Sequence, residues 1–76
     1  MNSVIEGEIT VKFVGAGLSK KGKPWLRVSN GLETKFLGTE VHPDDFEAFS
    51  EGDEFTAIVS VDAFDPFKTK VLQLLD

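Results

Sequence analysis

Hydrophobic and polar residues alternate along most of this chain. In residues 3–14, Ile5, Ile9, Val11 and Phe13 fall on one face and Glu6, Glu8, Thr10 and Lys12 on the other. A period of two predicts a long first strand, with Gly7 as a bend. Residues 15–23 carry Gly15, Gly17, Gly22 and three lysines and predict a loop. Residues 24–29 alternate again, with Leu26 and Val28 inward and Trp25, Arg27 and Ser29 outward. Ser29-Asn30-Gly31 predicts a turn, and residues 32–38 predict a third strand. The period then changes. Pro43 opens a segment with Asp44, Asp45 and Glu47 in its first turn, where a helix dipole favours acids, and Phe46 and Phe49 lie three apart. Gly52 ends it, which predicts one helix of about two turns. A fourth strand follows over 54–61, with Phe55, Ala57, Val59 and Val61 on one face. Residues 62–68 predict a loop bearing Phe64 and Phe67, and residues 69–75 a fifth strand.

The order β-β-β-α-β-β predicts an all-β protein, one five-stranded oligonucleotide-binding (OB) barrel over residues 1–76, with the helix plugging one end through Phe46 and Phe49. An SH3-like barrel is the competing architecture, but it places its single short turn later in the chain. A chain of 76 residues buries only about 60% of its unfolded surface, so its core is small. The absence of cysteine excludes a disulfide-stapled scaffold. The first residues form no signal peptide, and no apolar run approaches the ~18 residues of a membrane span. These features predict a cytoplasmic protein without a membrane partner.

Charge changes the picture. The net charge is −5, yet it is unevenly distributed. Residues 1–35 hold six cations against three acids, and residues 36–76 hold two lysines against ten acids. A basic half joined to an acidic half predicts a surface that faces a polyanion. The spacing Gly17-x4-Gly22-Lys23 is most of a phosphate-binding P-loop, but Pro24 stands where that loop needs Ser or Thr, and strand-period residues follow instead of a helix. Enzyme and metal chemistry find no support. His42 is the only histidine and reads as a helix-initiating residue, and the acids lack calcium-loop spacing. No cofactor is expected.

The stretch Leu18–Ser29, with Ser19, Gly22, Lys23, Pro24 and Trp25, resembles the Ser-x-x-Gly-Lys-Pro-aromatic segment of the single-stranded-DNA-binding, helix-destabilising proteins of filamentous phages. The resemblance spans about a dozen residues and implies strand binding with little sequence preference, in phage or mobile-element replication or recombination, in a bacterial or phage-infected host cell. Replication or recombination proteins would be further partners. The residues themselves fit that chemistry. Such binders need an aromatic plate for bases and a cationic track for phosphates. Trp25 would be the plate; Lys20, Lys21, Lys23 and Arg27 the track, joined by Lys12 and Lys35 from the outer faces of the first and third strands. Phe36, of opposite parity to Lys35, is expected in the core. Phe64 and Phe67 are open to three roles: base stacking, a homodimer interface or core. Two alternatives remain: an acidic interaction module or nucleic-acid mimic that binds a host factor, and an RNA-binding OB domain.

Overall fold

One strand pairs along both of its edges and thereby closes the barrel. In the computed structural model, which describes residues 3–75, β1 (Val4–Leu18) is followed by β2 (Pro24–Ser29) and β3 (Thr34–Thr39). A 3-10 turn (Pro43–Phe46), β4 (Glu54–Asp62) and β5 (Asp65–Leu75) complete the order. The first half of β1 pairs with β4 from Val4↔Asp62 to Lys12↔Glu54 without a break. The second half pairs with β2 from Lys12↔Ser29 to Leu18↔Pro24, with a register shift between Phe13 and Gly15. Lys12 belongs to both ladders. Immediately beyond it, the Phe13 N–H donates to the Asp53 carbonyl (2.7 Å) and the Phe13 carbonyl accepts from the Gly52 N–H (2.8 Å). The bend therefore leaves neither backbone group of Phe13 unpaired.

The strands close in the order β1-β2-β3-β5-β4. All neighbours are antiparallel except β3 and β5, which run parallel and pair only at Gly38↔Lys70 and Thr39↔Val71. With the turn between β3 and β4, this is an OB-like barrel and not the SH3-like alternative. The core follows the period-two pattern: Phe13, Leu26, Val28, Phe55, Ala57, Val59 and Val71 are buried, with Phe46 from the turn. Four phenylalanines close one end. Phe13 stacks on Phe46 at 5.6 Å, and Phe49 meets Phe13, Phe46 and Phe55 edge-on, each at 5.5 Å. Edge-to-face pairs at this spacing contribute about 0.5–1.5 kcal/mol each beyond burial.

Several expectations need correction. The two-turn helix is a single 3-10 turn. His42 begins it, its Nδ1 accepting from the Asp44 N–H (3.1 Å), and the chain then turns irregularly so that Phe49 reaches the plug. Three-residue spacing of Phe46 and Phe49 suits a 3-10 turn as well as an α-helix. Gly7 is not a bend: it pairs with Val59 in unbroken register, and the irregularity lies past Phe13. Strand β1 runs on to Leu18, so the first loop shrinks to residues 19–23. Strand β3 starts at Thr34, leaving Leu32 exposed in the turn before it. Ile5 has core parity but lies past the buried core and is exposed. The loop expected over 62–68 is mostly strand. Only Ala63 and Phe64 intervene between β4 and β5, and the Asp62 carboxylate holds this turn by accepting from the Phe64 N–H (2.9 Å) and the Ser3 hydroxyl (3.1 Å). Those two hydrogen bonds, the backbone one first, hold the Asp62 carboxyl below the usual aspartate range. No helix among the described residues is long and apolar enough to cross a membrane.

The phenylalanines thus divide into plug and surface. Phe46 is 3% exposed and Phe67 97%. Phe46→Ala should cost about 3–5 kcal/mol, comparable to the ~5 kcal/mol at the low end of whole-domain stability. At concentrations where the chain is monomeric, Phe67→Ala should move stability by less than ~0.5 kcal/mol. Urea unfolding of both variants checks this; equal losses would contradict the plug.

Candidate functional site

The outer face of β1, β2 and β3 gathers the chemistry, and the cross-strand register explains how. Paired residues in an antiparallel sheet point to the same side. Leu26 lies opposite Leu37, so both point inward; Arg27 lies opposite Phe36, so both point outward. Phe36 is accordingly 64% exposed and not in the core. Lys35 takes the other parity. It lies opposite Val28 and faces the open end of the barrel, where it lines a pocket of about 280 Å³ with Ile9, Val11, Val28 and Leu37. It does not join the outer face. Adjacent apolar residues, Phe36-Leu37, left the parity of this strand open until its register with β2 was known.

Trp25 sits between glycines. It pairs with Gly17 on β1 and Gly38 on β3. A Cβ added at Gly17 would lie 2.8 Å from Trp25 Cζ2, and one at Gly15 would lie 4.0 Å from Cζ3. The bare backbone of β1 is therefore the floor on which the indole lies. Phe36 meets its edge at 5.4 Å, and the Arg27 guanidinium stands 5.1 Å over the Phe36 ring. Trp25, half-buried, Phe36 and Arg27 form one outward cluster. Cation–π contact at such an exposed site contributes about 0.5–1 kcal/mol. Its greater effect is to hold the guanidinium beside the rings.

The lysine loop borders this cluster through β2. The Ser19 carbonyl accepts from the Gly22 N–H (2.9 Å), the Ser19 N–H donates to the Lys23 carbonyl (2.8 Å), and the Ser19 hydroxyl accepts from the Lys23 N–H (3.1 Å). Gly22 has φ +77°, a conformation glycine adopts without steric cost. The turn exposes Lys20 and Lys21 at its tip and Lys23 at its base. No helix follows, which removes the P-loop reading. Lys12, opposite Ser29, lies on the same outer face.

Neither protein-family models, curated proteins nor solved structures contain a match to this chain. The site must be read from its own geometry. The arrangement of ion pairs is then informative. Lys68 pairs with Asp65 (3.9 Å) and Lys70 with Glu40 (3.1 Å). Among the described residues, Lys12, Lys20, Lys21, Lys23, Arg27 and Lys35 form no ion pair, although the chain carries thirteen acids. The uncompensated cations lie in the basic half, five of them on or beside the aromatic cluster.

Phe64 and Phe67 stand apart. Their hairpin meets β1 at Val4, opposite Asp62, whereas the Trp25 row meets it at Gly17, the other end. Both rings are exposed, which excludes the core role for them. The acids Asp44, Asp45, Glu47, Glu51, Asp53 and Glu54 are exposed on the turn and the approach to β4.

Gly17→Ala tests the floor. Gly17 has no positive φ, so alanine strains nothing in the backbone and acts only by displacing the indole. The expected result is a shifted Trp25 emission maximum and altered near-ultraviolet dichroism with an unchanged far-ultraviolet spectrum. An unmoved emission spectrum would show that the indole does not rest on β1.

Proposed function

We propose that this protein binds single-stranded DNA with little sequence preference through the outer face of β1–β3, as a strand-coating protein of phage or mobile-element replication or recombination. The observation that carries the reading is the outward-facing Trp25–Phe36–Arg27 cluster, flanked by cations that form no ion pair among the described residues. Aromatic faces stack any base, which makes recognition tolerant of sequence. The cations Lys12, Lys20, Lys21, Lys23 and Arg27 neutralise phosphates, and phosphate contacts carry no base information. Phe36 replaces Phe64 and Phe67 as the second aromatic of the site. The acidic half limits duplex association by repulsion, since net negative charge opposes nonspecific attraction to DNA.

Titration with oligo-dT tests this reading. Stacking should quench Trp25, the only tryptophan, and Trp25→Ala should weaken binding by about 1–3 kcal/mol. Three to five phosphate contacts imply a slope of log K against log salt of roughly −2 to −3.5, and converting Lys20 and Lys21 to Ala should flatten it by about 1.4. Charge reversal at Asp44 and Asp45 should leave the slope nearly unchanged. If instead the loop variant keeps full affinity, and Asp44 and Asp45 carry binding to a basic protein, the chain is an acidic mimic and the strand-binding mechanism fails.

The reading includes a homodimer. Val4, Ile5, Phe64 and Phe67 are exposed apolar residues at the end of β1 remote from Trp25, and a second copy covering them would leave the strand-binding face open. Two copies on one strand gain by avidity. Sedimentation at micromolar concentration should give a mass above the 8.3 kDa of one chain, and Phe67→Asp should return it to one chain. A monomer before substitution would contradict the dimer.

A further inference from the structure

Beside the aromatic cluster, the outer surface of the barrel dips into a depression of about 310 Å³. Lys12, Arg27, Ser29, Thr34 and Glu51 line it, together with Phe13, Val14 and Gly52. The register assembles it. Lys12 lies opposite Ser29, Ser29 opposite Thr34, and Arg27 one outward position along β2 from Ser29. Three neighbouring strands thus contribute two cations and two hydroxyls to one hollow. Neither cation is used in an ion pair among the described residues. Lys12 lies opposite Glu54 across β1 and β4 without forming one. The Ser29 oxygen accepts from the Gly31 N–H (3.0 Å), which leaves its own proton free to donate.

We infer that this hollow is a phosphodiester seat, in which Lys12 and Arg27 supply charge, Ser29 and Thr34 donate hydrogen bonds, and the Glu51 carboxylate on the rim sets an upper limit on affinity. The inference rests on the strand-binding reading and extends it to one phosphate and to a residue that opposes binding. A phosphate presents several acceptor oxygens, and it is matched by donors converging from different directions. Arg27 links the seat to the stack: its guanidinium already stands over Phe36, so a strand whose base lies on Phe36 or Trp25 has its neighbouring phosphate within reach of the same side chain. Glu51 is the exception in an otherwise donor-lined hollow. A carboxylate beside a bound phosphate repels it, and the repulsion weakens with salt. The rim acid therefore makes this seat selective for polyanions that bring compensating stacking, and it disfavours those that bring charge alone.

Three variants test the seat, read by fluorescence anisotropy of a labelled oligo-dT. Glu51→Gln should tighten binding about two- to five-fold at low salt, with the gain shrinking as salt rises. Thr34→Ala should weaken binding about three-fold with an unchanged salt slope, because a hydroxyl releases no counterion. Lys12→Ala should weaken it and flatten the slope by about 0.7. Glu51 and Thr34 are exposed, so these variants keep the fold. Oligonucleotide binding with unchanged affinity in Glu51→Gln and Thr34→Ala would overturn the seat and leave strand binding standing. A second measurement separates the two readings in the other direction. Tripolyphosphate, which has no bases, should shift the amide resonances of Lys12, Ser29 and Thr34, more strongly in Glu51→Gln. That result without any oligonucleotide binding would keep the anion seat and remove the strand-binding reading; no shift with any of these probes would overturn the seat.

Discussion

The structure depends on β1 pairing along both edges in succession. A strand of fifteen residues can satisfy β4 with its first half and β2 with its second only if it bends, and the bend falls just past Lys12, where the two ladders meet. Phe13, the next residue, turns inward and stacks on Phe46. The hydrophobic plug and the closure of the sheet are therefore one event. In a domain of this size, where net stability is a small difference between large terms, that coupling makes the fourfold phenylalanine contact a condition of the barrel and not an addition to it.

The same bend prepares the outer surface. Past it, β1 carries Gly15 and Gly17, and the missing side chains let the Trp25 ring lie on the strand. Substituted residues there would have forced the indole away from the sheet and away from Phe36. The glycines thus shape a platform, while the turn at Ser19–Gly22 presents the lysines next to it. Among the described residues, cations without an ion pair persist here in a chain of net charge −5, whereas the lysines of β5 are paired with acids. Segregation of that kind keeps a positive surface available on an acidic protein, and its field is felt over about a Debye length, ~8–10 Å at ordinary ionic strength.

Much of this was legible in the chain. The six residues of β2 alternate cleanly, so their bounds and both faces could be read directly, and Trp25 and Arg27 emerged as outward from parity alone. Strand order followed from five such segments and one interruption. What escaped was decided by partners distant in sequence. Phe36 and Lys35 exchange faces because Leu37 lies opposite Leu26, and nothing local to that segment says so. The Phe46–Phe49 spacing fits two helical forms, and the plug selects the tighter one. The loop expected over 62–68 gives way to a strand that begins at Asp65 in spite of Pro66; proline is tolerated near a strand's start and along an unpaired edge, and β3 pairs with β5 only from Lys70 onward. Ser29, Thr34 and Glu51 carry no motif. The register brings Ser29 and Thr34 to the hollow with Lys12 and Arg27, and the Gly52–Phe13 backbone hydrogen bond brings Glu51 beside them.

The central claim is that a single strand lies across the outer face of β1–β3. Amide chemical-shift mapping during titration with oligo-dT tests it residue by residue. The account predicts shifts confined to the second half of β1, the Ser19–Lys23 turn, β2, the outward residues of β3 and the neighbouring Glu51–Gly52, with the Trp25 indole N–H among the largest. Shifts centred on the acidic turn at Pro43–Phe46 or on the β4–β5 hairpin, with the Trp25 indole unmoved, would contradict it.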